Sequence, residues 1–262
     1  MIYIHNIDPI LLSFKSISIY WYGIMYVISF LIIDYMLKQD VKRGKVSFSP
    51  EIAENLLIFS LIALLIGGRL GYVLFYDLSF YMENPIKIFY VWEGGMSFHG
   101  GLIGAIFGFY FFSKKENLNF FEVSDSVVIY IPIALGLGRI GNFINGELYG
   151  IPTNGNWGII FPMVDQIPRH PSMLYEAFLE GLVLFLIMKK ISRFKLPRMT
   201  LSSTFLIFYG VFRFLVEFIR LPDRHIGYLY QEWFTMGQLL SIPMMIFGII
   251  LLYFSIRSTR PQ

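Results

Sequence analysis

The chain has 262 residues, of which 56% are hydrophobic and only 15% charged, with a formal net charge of +3. Soluble domains carry roughly 25% charged residues; long apolar runs and a mean hydropathy of +0.61 point instead to a polytopic membrane protein. With no cysteine, the chain has no disulfide, no thiolate metal site and no cysteine nucleophile of its own.

The first fifteen residues mix Asp8 and Lys15 with apolar positions. They lack the basic start and small-residue cleavage site of a secretory leader, so no cleavable signal is expected. About seven apolar spans follow, each read as a transmembrane helix: Ile17–Leu37, Ile52–Tyr76, Ile86–Phe112, Val123–Leu137, Met173–Met188, Leu201–Ile219 and Met236–Ile256. The expected fold is an all-α polytopic membrane protein, a single integral membrane domain over residues 1–262. Glycines four apart (Gly67 and Gly71; Gly100, Gly104 and Gly108) predict close helix contacts. No internal repeat is visible, so the inverted symmetry of many transporters is missing.

Basic residues set the orientation. Clusters after the first, third and fifth spans and in the tail, from Lys38 to Arg260, hold thirteen cations. The opposite side holds five: Lys15, Lys87, Arg169, Arg220 and Arg224. The N-terminus is therefore expected outside and the C-terminus in the cytoplasm. Residues 141–171, with Pro152, Asn154, Gly155, Asn156, Pro162 and Pro168, read as an irregular extracytoplasmic segment. Residues 221–233 form a second outer loop.

Arg69, Arg139 and Arg213 fall inside or at the edge of apolar spans. An ionised group at mid-membrane costs about 2.5–3.5 kcal/mol on insertion scales. Each arginine either pairs with a carboxylate and locks helices together or serves a site; Arg69, in IGGRLGY, reads first as a helix-contact anchor. In FYGVFRFLVEFIRLPD, Tyr209, Arg213 and Glu217 are each four apart, with Arg220 three further on. They share one helical face, which must look into protein or a wet cavity because lipid satisfies none of it. The face is a buried Arg213–Glu217 pair or a headgroup site, since guanidinium forks match phosphate.

His99 lies in GGMSFHGGLIG, an ionisable group within a span and so a site candidate, suited to general base work near neutral pH. No G-x-S-x-G elbow accompanies it. Of the other histidines, only His170 in PRHPSMLYE invites attention. Tyr20, Trp21, Tyr22 and Tyr26 read first as an interfacial aromatic belt. No H-E-x-x-H or Walker A run occurs, and nothing calls for a metal, a cofactor or nucleic acid.

The run GRIGNFINGELYG, Gly138–Gly150, resembles the signature of the bacterial prolipoprotein diacylglyceryl transferases. WYGIMY, GGRLGYVLFY, VWEGGMSFHGGLIG, RHPSMLYE and FYGVFRFLVEFIRLPD agree with it in order along nearly the whole chain. The resemblance implies a multi-pass enzyme of the bacterial plasma (inner) membrane. Such enzymes move the diacylglyceryl group of phosphatidylglycerol onto the lipobox cysteine of a prolipoprotein signal peptide, forming a thioether and releasing glycerol phosphate. The partners implied are that lipid, that peptide and the bilayer.

The resemblance also marks His99, Tyr22, Arg139, Asn142, Glu147, Gly150, Tyr209 and Arg213. His99 would assist thiolate formation; Arg139 and Arg213 would stabilise the phosphate leaving group. Asn142 and Asn145 would donate to phosphate or glycerol oxygens. Glu147 and Glu217 would orient the arginines or accept from glycerol hydroxyls. Tyr22 and Tyr209 would place the headgroup or relay a proton. The competing class is a membrane transporter for an anionic solute, which intramembrane arginines and glycine-broken spans also suit.

Overall fold

The computed structural model describes residues 2–14, 17–222 and 227–258 and is mainly helical. Lys15, Arg224 and Arg260, part of the charge asymmetry, and His225 lie outside the described residues. In chain order come β1 (Tyr3–Ile4), β2 (Ile10–Phe14), β3 (Ile17–Tyr20), α1 (Trp21–Lys42), α2 (Pro50–Phe75) and α3 (Leu78–Glu83). Two 3₁₀ turns, Pro85–Phe89 and Val91–Glu93, lead to α4 (Phe98–Lys115), α5 (Phe120–Val128), α6 (Ile131–Asn145) and β4 (Ile159–Ile160). Then α7 (Ser172–Glu176) runs through a π-helical segment (Ala177–Val183) into α8 (Leu184–Ile191), followed by α9 (Thr200–Val216) and α10 (Met236–Arg257).

Among the described residues α1, α2 and α10 are long and apolar enough to cross a membrane, and α5 with α6, bent by 46°, make a fourth if the pair is counted as one span. The helical membrane character expected from composition is therefore present, with fewer qualifying helices than seven. The reasons are local. The third expected span opens with 3₁₀ turns, and Gly94 and Gly95 take φ of +86° and +75°, so helix starts only at Phe98. The last apolar helix before α10, α9, has 17 residues. Four short strands also depart from an all-α fold. β1 pairs in parallel with β4, and β2 with β3 as an antiparallel hairpin.

The chain divides into two compact units, residues 1–33 with 127–262, and residues 34–126. In the smaller unit, Ser49 and Ser97 cap α2 and α4 by accepting from Ile52 N and Gly100 N. The two helices pack backbone to backbone: a Cβ at Gly100 would collide with the carbonyl oxygen of Gly67, as the glycine spacing predicts. Arg69 is buried in this unit. Its guanidinium donates to five main-chain carbonyls, Lys87 O (2.6 Å), Ile88 O (2.8 Å), Tyr90 O (3.2 Å), Gly94 O and Gly95 O (3.1 Å), and stands over the Tyr81 ring. Arg69 is thus a structural residue whose partners, among the described residues, are the carbonyls of the 3₁₀ turns and the Tyr81 ring.

In the larger unit α9 packs on α10, and α6 on the π-helical segment. That second contact is close because a Cβ at Gly181 would meet Gly136 Cα at 2.6 Å. A cap box holds the start of α10: Thr235 accepts from Gln238 N, and the Gln238 side chain accepts from Thr235 N at 2.9 Å. Ile159, Phe161 and Met173 form an apolar core, flanked by Phe143, Tyr149, Val164 and Leu174. This core fixes residues 147–171 against the end of α6.

Candidate functional site

The larger unit gathers three arginines and three carboxylates that are scattered in sequence. Glu176 is the hub. Arg139 of α6 meets its Oε2 through Nε at 2.6 Å, and Arg213 of α9 donates from Nη1 to its Oε1 at 2.7 Å. Arg213 Nη2 also contacts Glu217, four residues on. Glu217 further accepts from Arg220 Nη1 (3.1 Å) and Thr235 Oγ1 (2.5 Å). Arg139 Nη2 lies 3.7 Å from Glu180. The expected Arg213–Glu217 pair is present, as one edge of a six-charge network.

Burial within the network is uneven. Glu176 and Glu180 are 0% exposed and Glu217 3%, whereas Arg139, Arg213 and Arg220 keep 19%, 13% and 11%. The carboxylates are the most deeply buried members, and the arginine side chains keep a small share of exposure. Such a set is held by mutual compensation, since a buried charge without its partner is strongly destabilising. Tyr209, one turn before Arg213, stacks on Phe205 at 5.7 Å and feels the charges of Glu180, Arg213 and Arg139.

The run 138–150 ends α6 beside this network. Gly146 takes φ of +68° as the left-handed cap of the helix. Asn142 Nδ2 (2.8 Å) and Asn145 Nδ2 (3.1 Å) both donate to Glu147 Oε1. Among the described residues Glu147 therefore contacts the two asparagines and no arginine, while Glu217 contacts Arg213 and Arg220. Gly150 has no room for a side chain: a Cβ would strike Ile219 O and His170. It joins the segment to the chain at His170 and Arg220 through Gly150 N to His170 O at 2.7 Å and an isolated bridge with Arg220.

Tyr22 of α1 lies against Gly141, and its hydroxyl is 3.1 Å from that of Tyr26, which faces Gly138. The glycines of the run thus admit two tyrosine rings onto α6. Of the belt aromatics, Tyr22 reaches the site, under the charges of Glu147 and Arg139. His99 belongs to the smaller unit, exposed in the first turn of α4.

His170 contacts the Tyr175 hydroxyl through Nδ1 at 3.2 Å, and burial lowers its pKa. Both residues line a groove of about 490 Å³ with Trp157, Phe178, Leu179, Leu215, Val216 and Ile219. The groove is apolar but for this end.

Glu176 and Glu180 enter the site beyond the residues singled out by sequence, and Arg220, expected on the polar face with Arg213 and Glu217, joins them in the network. The signal for the first two was present: carboxylates four apart in LYEAFLEG are as costly in an apolar span as the arginines.

A family model described as prolipoprotein diacylglyceryl transferase matches residues 9–254. A Methylococcus capsulatus protein named phosphatidylglycerol–prolipoprotein diacylglyceryl transferase is 50% identical over 247 residues, 94% of each chain. Two Pseudomonas fluorescens proteins of that name are 47% identical over 251 residues (95% of this chain, 93% of the relative) and 45% identical over 259 residues (98% and 96%).

Proposed function

The chain belongs to the prolipoprotein diacylglyceryl transferase family, and from that membership we infer that it transfers the diacylglyceryl group of phosphatidylglycerol to prolipoproteins. It is a transferase and a membrane protein. The observation that carries the reading at the level of the site is the charge-balanced cluster in which Arg139 and Arg213 are both braced on the buried Glu176. Braced guanidiniums present fixed donors to a phosphodiester, and fixed donors stabilise the charge that grows on a leaving phosphate.

In the proposed reaction the thiol of the lipobox cysteine gives its proton to His99, an assignment that rests on the motif around that residue. The thiolate sulfur forms a bond to the glycerol carbon of the diacylglyceryl group. The carbon–oxygen bond to phosphate breaks, and its electron pair leaves on glycerol phosphate, beside Arg139 and Arg213. Asn142 and Asn145, held by Glu147, face the glycerol end of the headgroup together with Gly150. Tyr22 and Tyr209 place the headgroup, and Glu217 aligns Arg213. The groove along Phe178, Leu179 and Leu215 takes an acyl chain.

The proposed topology is a single multi-pass domain of seven spans in the bacterial plasma (inner) membrane. The N-terminus and residues 141–171 are outside and the C-terminus is cytoplasmic, as the cation asymmetry directs. The test is to incubate the purified protein with phosphatidylglycerol and a lipobox peptide and weigh the peptide. A mass increase of one diacylglyceryl group is expected. Flux of an anionic solute without that increase would overturn the reading in favour of transport.

A further inference from the structure

Glu180 is the carboxylate that its neighbours do not satisfy. Both of its oxygens are buried without a hydrogen bond, and its ion-pair partner Arg139 Nη2 is 3.7 Å away, beyond hydrogen-bond range. Glu176 and Glu217 are instead hydrogen-bonded by Arg213, Arg220 and Thr235. The groups that act on Glu180 are Glu176 on its own segment, Arg139 on α6, and Arg213, Tyr209 and Glu217 on and at the end of α9. Glu180 also lies in the π-helical segment Ala177–Val183, a backbone form frequent at functional sites.

The formal charges of Arg139, Arg213 and Arg220 are balanced by Glu176, Glu180 and Glu217. A phosphodiester brings one further negative charge. Seated against Arg139 and Arg213, it would leave an uncompensated anion in a buried network, a costly state. The group best placed to relieve it is the carboxylate with no hydrogen bond to lose. We propose that Glu180 is a positioning residue, a placeholder anion that holds Arg139 ready, and that a bound phosphodiester displaces it from Arg139 with uptake of one proton by its carboxyl group. The inference rests on the reading of Arg139 and Arg213 as the headgroup site.

The experiment is calorimetry of phosphatidylglycerol binding to the detergent-solubilised protein, repeated in buffers of different ionisation enthalpy. Uptake of about one proton per lipid is expected, with affinity falling by up to about tenfold per pH unit as pH rises. Glu180→Gln has no anion to displace; it should bind at least as tightly, take up no proton and lose the pH slope. Glycerol phosphate forms a second arm. Proton uptake with it as well supports the proposal with phosphate alone as ligand; uptake with the lipid only supports it with the whole lipid as ligand. Wild-type binding without proton uptake, or an unchanged slope in Glu180→Gln, overturns the inference and leaves the headgroup site standing. Binding that survives Arg139→Gln unchanged overturns the headgroup site and this inference with it. The wild-type measurement decides even where the variant does not fold.

Discussion

Arg139 on α6 and Glu176 on α7 meet at 2.6 Å, with the carboxylate wholly out of solvent and the arginine side chain largely buried. The same carboxylate receives Arg213 from α9, so one acid holds two cations from two other helices. Glu176 is therefore at once a structural brace and the element that aims the site.

Glu176→Ala is expected to remove both functions. Two buried guanidiniums would lose their shared partner, and breaking such a pair costs about 3–5 kcal/mol. The measurement is thermal unfolding in detergent alongside peptide modification. A variant that stayed as stable and as active as wild type would show that the brace is dispensable.

Arg213→Lys is expected to fail to restore turnover, with a loss on the order of 10²–10³-fold in rate, the scale for removing one preorganised donor. An ammonium is a point charge and lacks the planar fork that spans Glu176 and Glu217 here. The modification rate of the lipobox peptide checks this.

His99→Gln separates proton transfer from lipid binding. Thioether formation should fall about 10²–10⁴-fold, the usual contribution of a general base, while phosphatidylglycerol binding stays near its wild-type strength. Rates and binding are to be measured on the same preparation; full turnover in the variant would remove His99 from the mechanism.

Asp165 governs an acid limit for the 147–171 segment. Hydrogen bonding from Arg169 holds its carboxyl below the ordinary range. A group with a depressed folded-state value contributes stability above its unfolded value, about 3.9, and loses it as pH falls through the folded value. Protease resistance of the segment should therefore drop below about pH 4 in the wild type. Asp165→Asn should show the weaker resistance already at neutral pH and little further change on acidification.

Arg69→Gln should loosen residues 85–95, whose carbonyls converge on this guanidinium. Hydrogen bonds to a charged group are worth roughly 1.5–3 kcal/mol each, so a loss of about that size or more is expected. Limited proteolysis between Asn84 and Met96 is the direct readout.

Some of this site is legible in sequence because membrane physics makes certain residues conspicuous. Tyr209, Arg213, Glu217 and Arg220 share a face by helical spacing alone, and Arg213, Glu217 and Arg220 do form one network. Partner choice is less legible. Nothing local says that Arg139 will find Glu176 rather than Glu147, because that depends on how α6 and α7 pack. Nor does it say that five carbonyls will surround Arg69, since backbone acceptors have no sequence signature. The fold divides the same way. Apolar length announced α1, α2 and α10, whereas the break before Phe98, the π-helical segment and the hairpin β2–β3 arise from backbone choices that hydropathy does not encode.

The charge network also imposes an order on biosynthesis. α6 emerges from the ribosome carrying Arg139 before either Glu176 or Glu180 has been made. An arginine in or near an apolar span is costly to leave unpaired, up to about 2.5–3.5 kcal/mol at the bilayer centre, and its counter-charges arrive only with the segment beginning at Ser172. Pairing with that segment is therefore expected to favour entry of α6 into lipid together with it, as a charge-matched pair. α9 brings Arg213 and Glu217 last and completes the network.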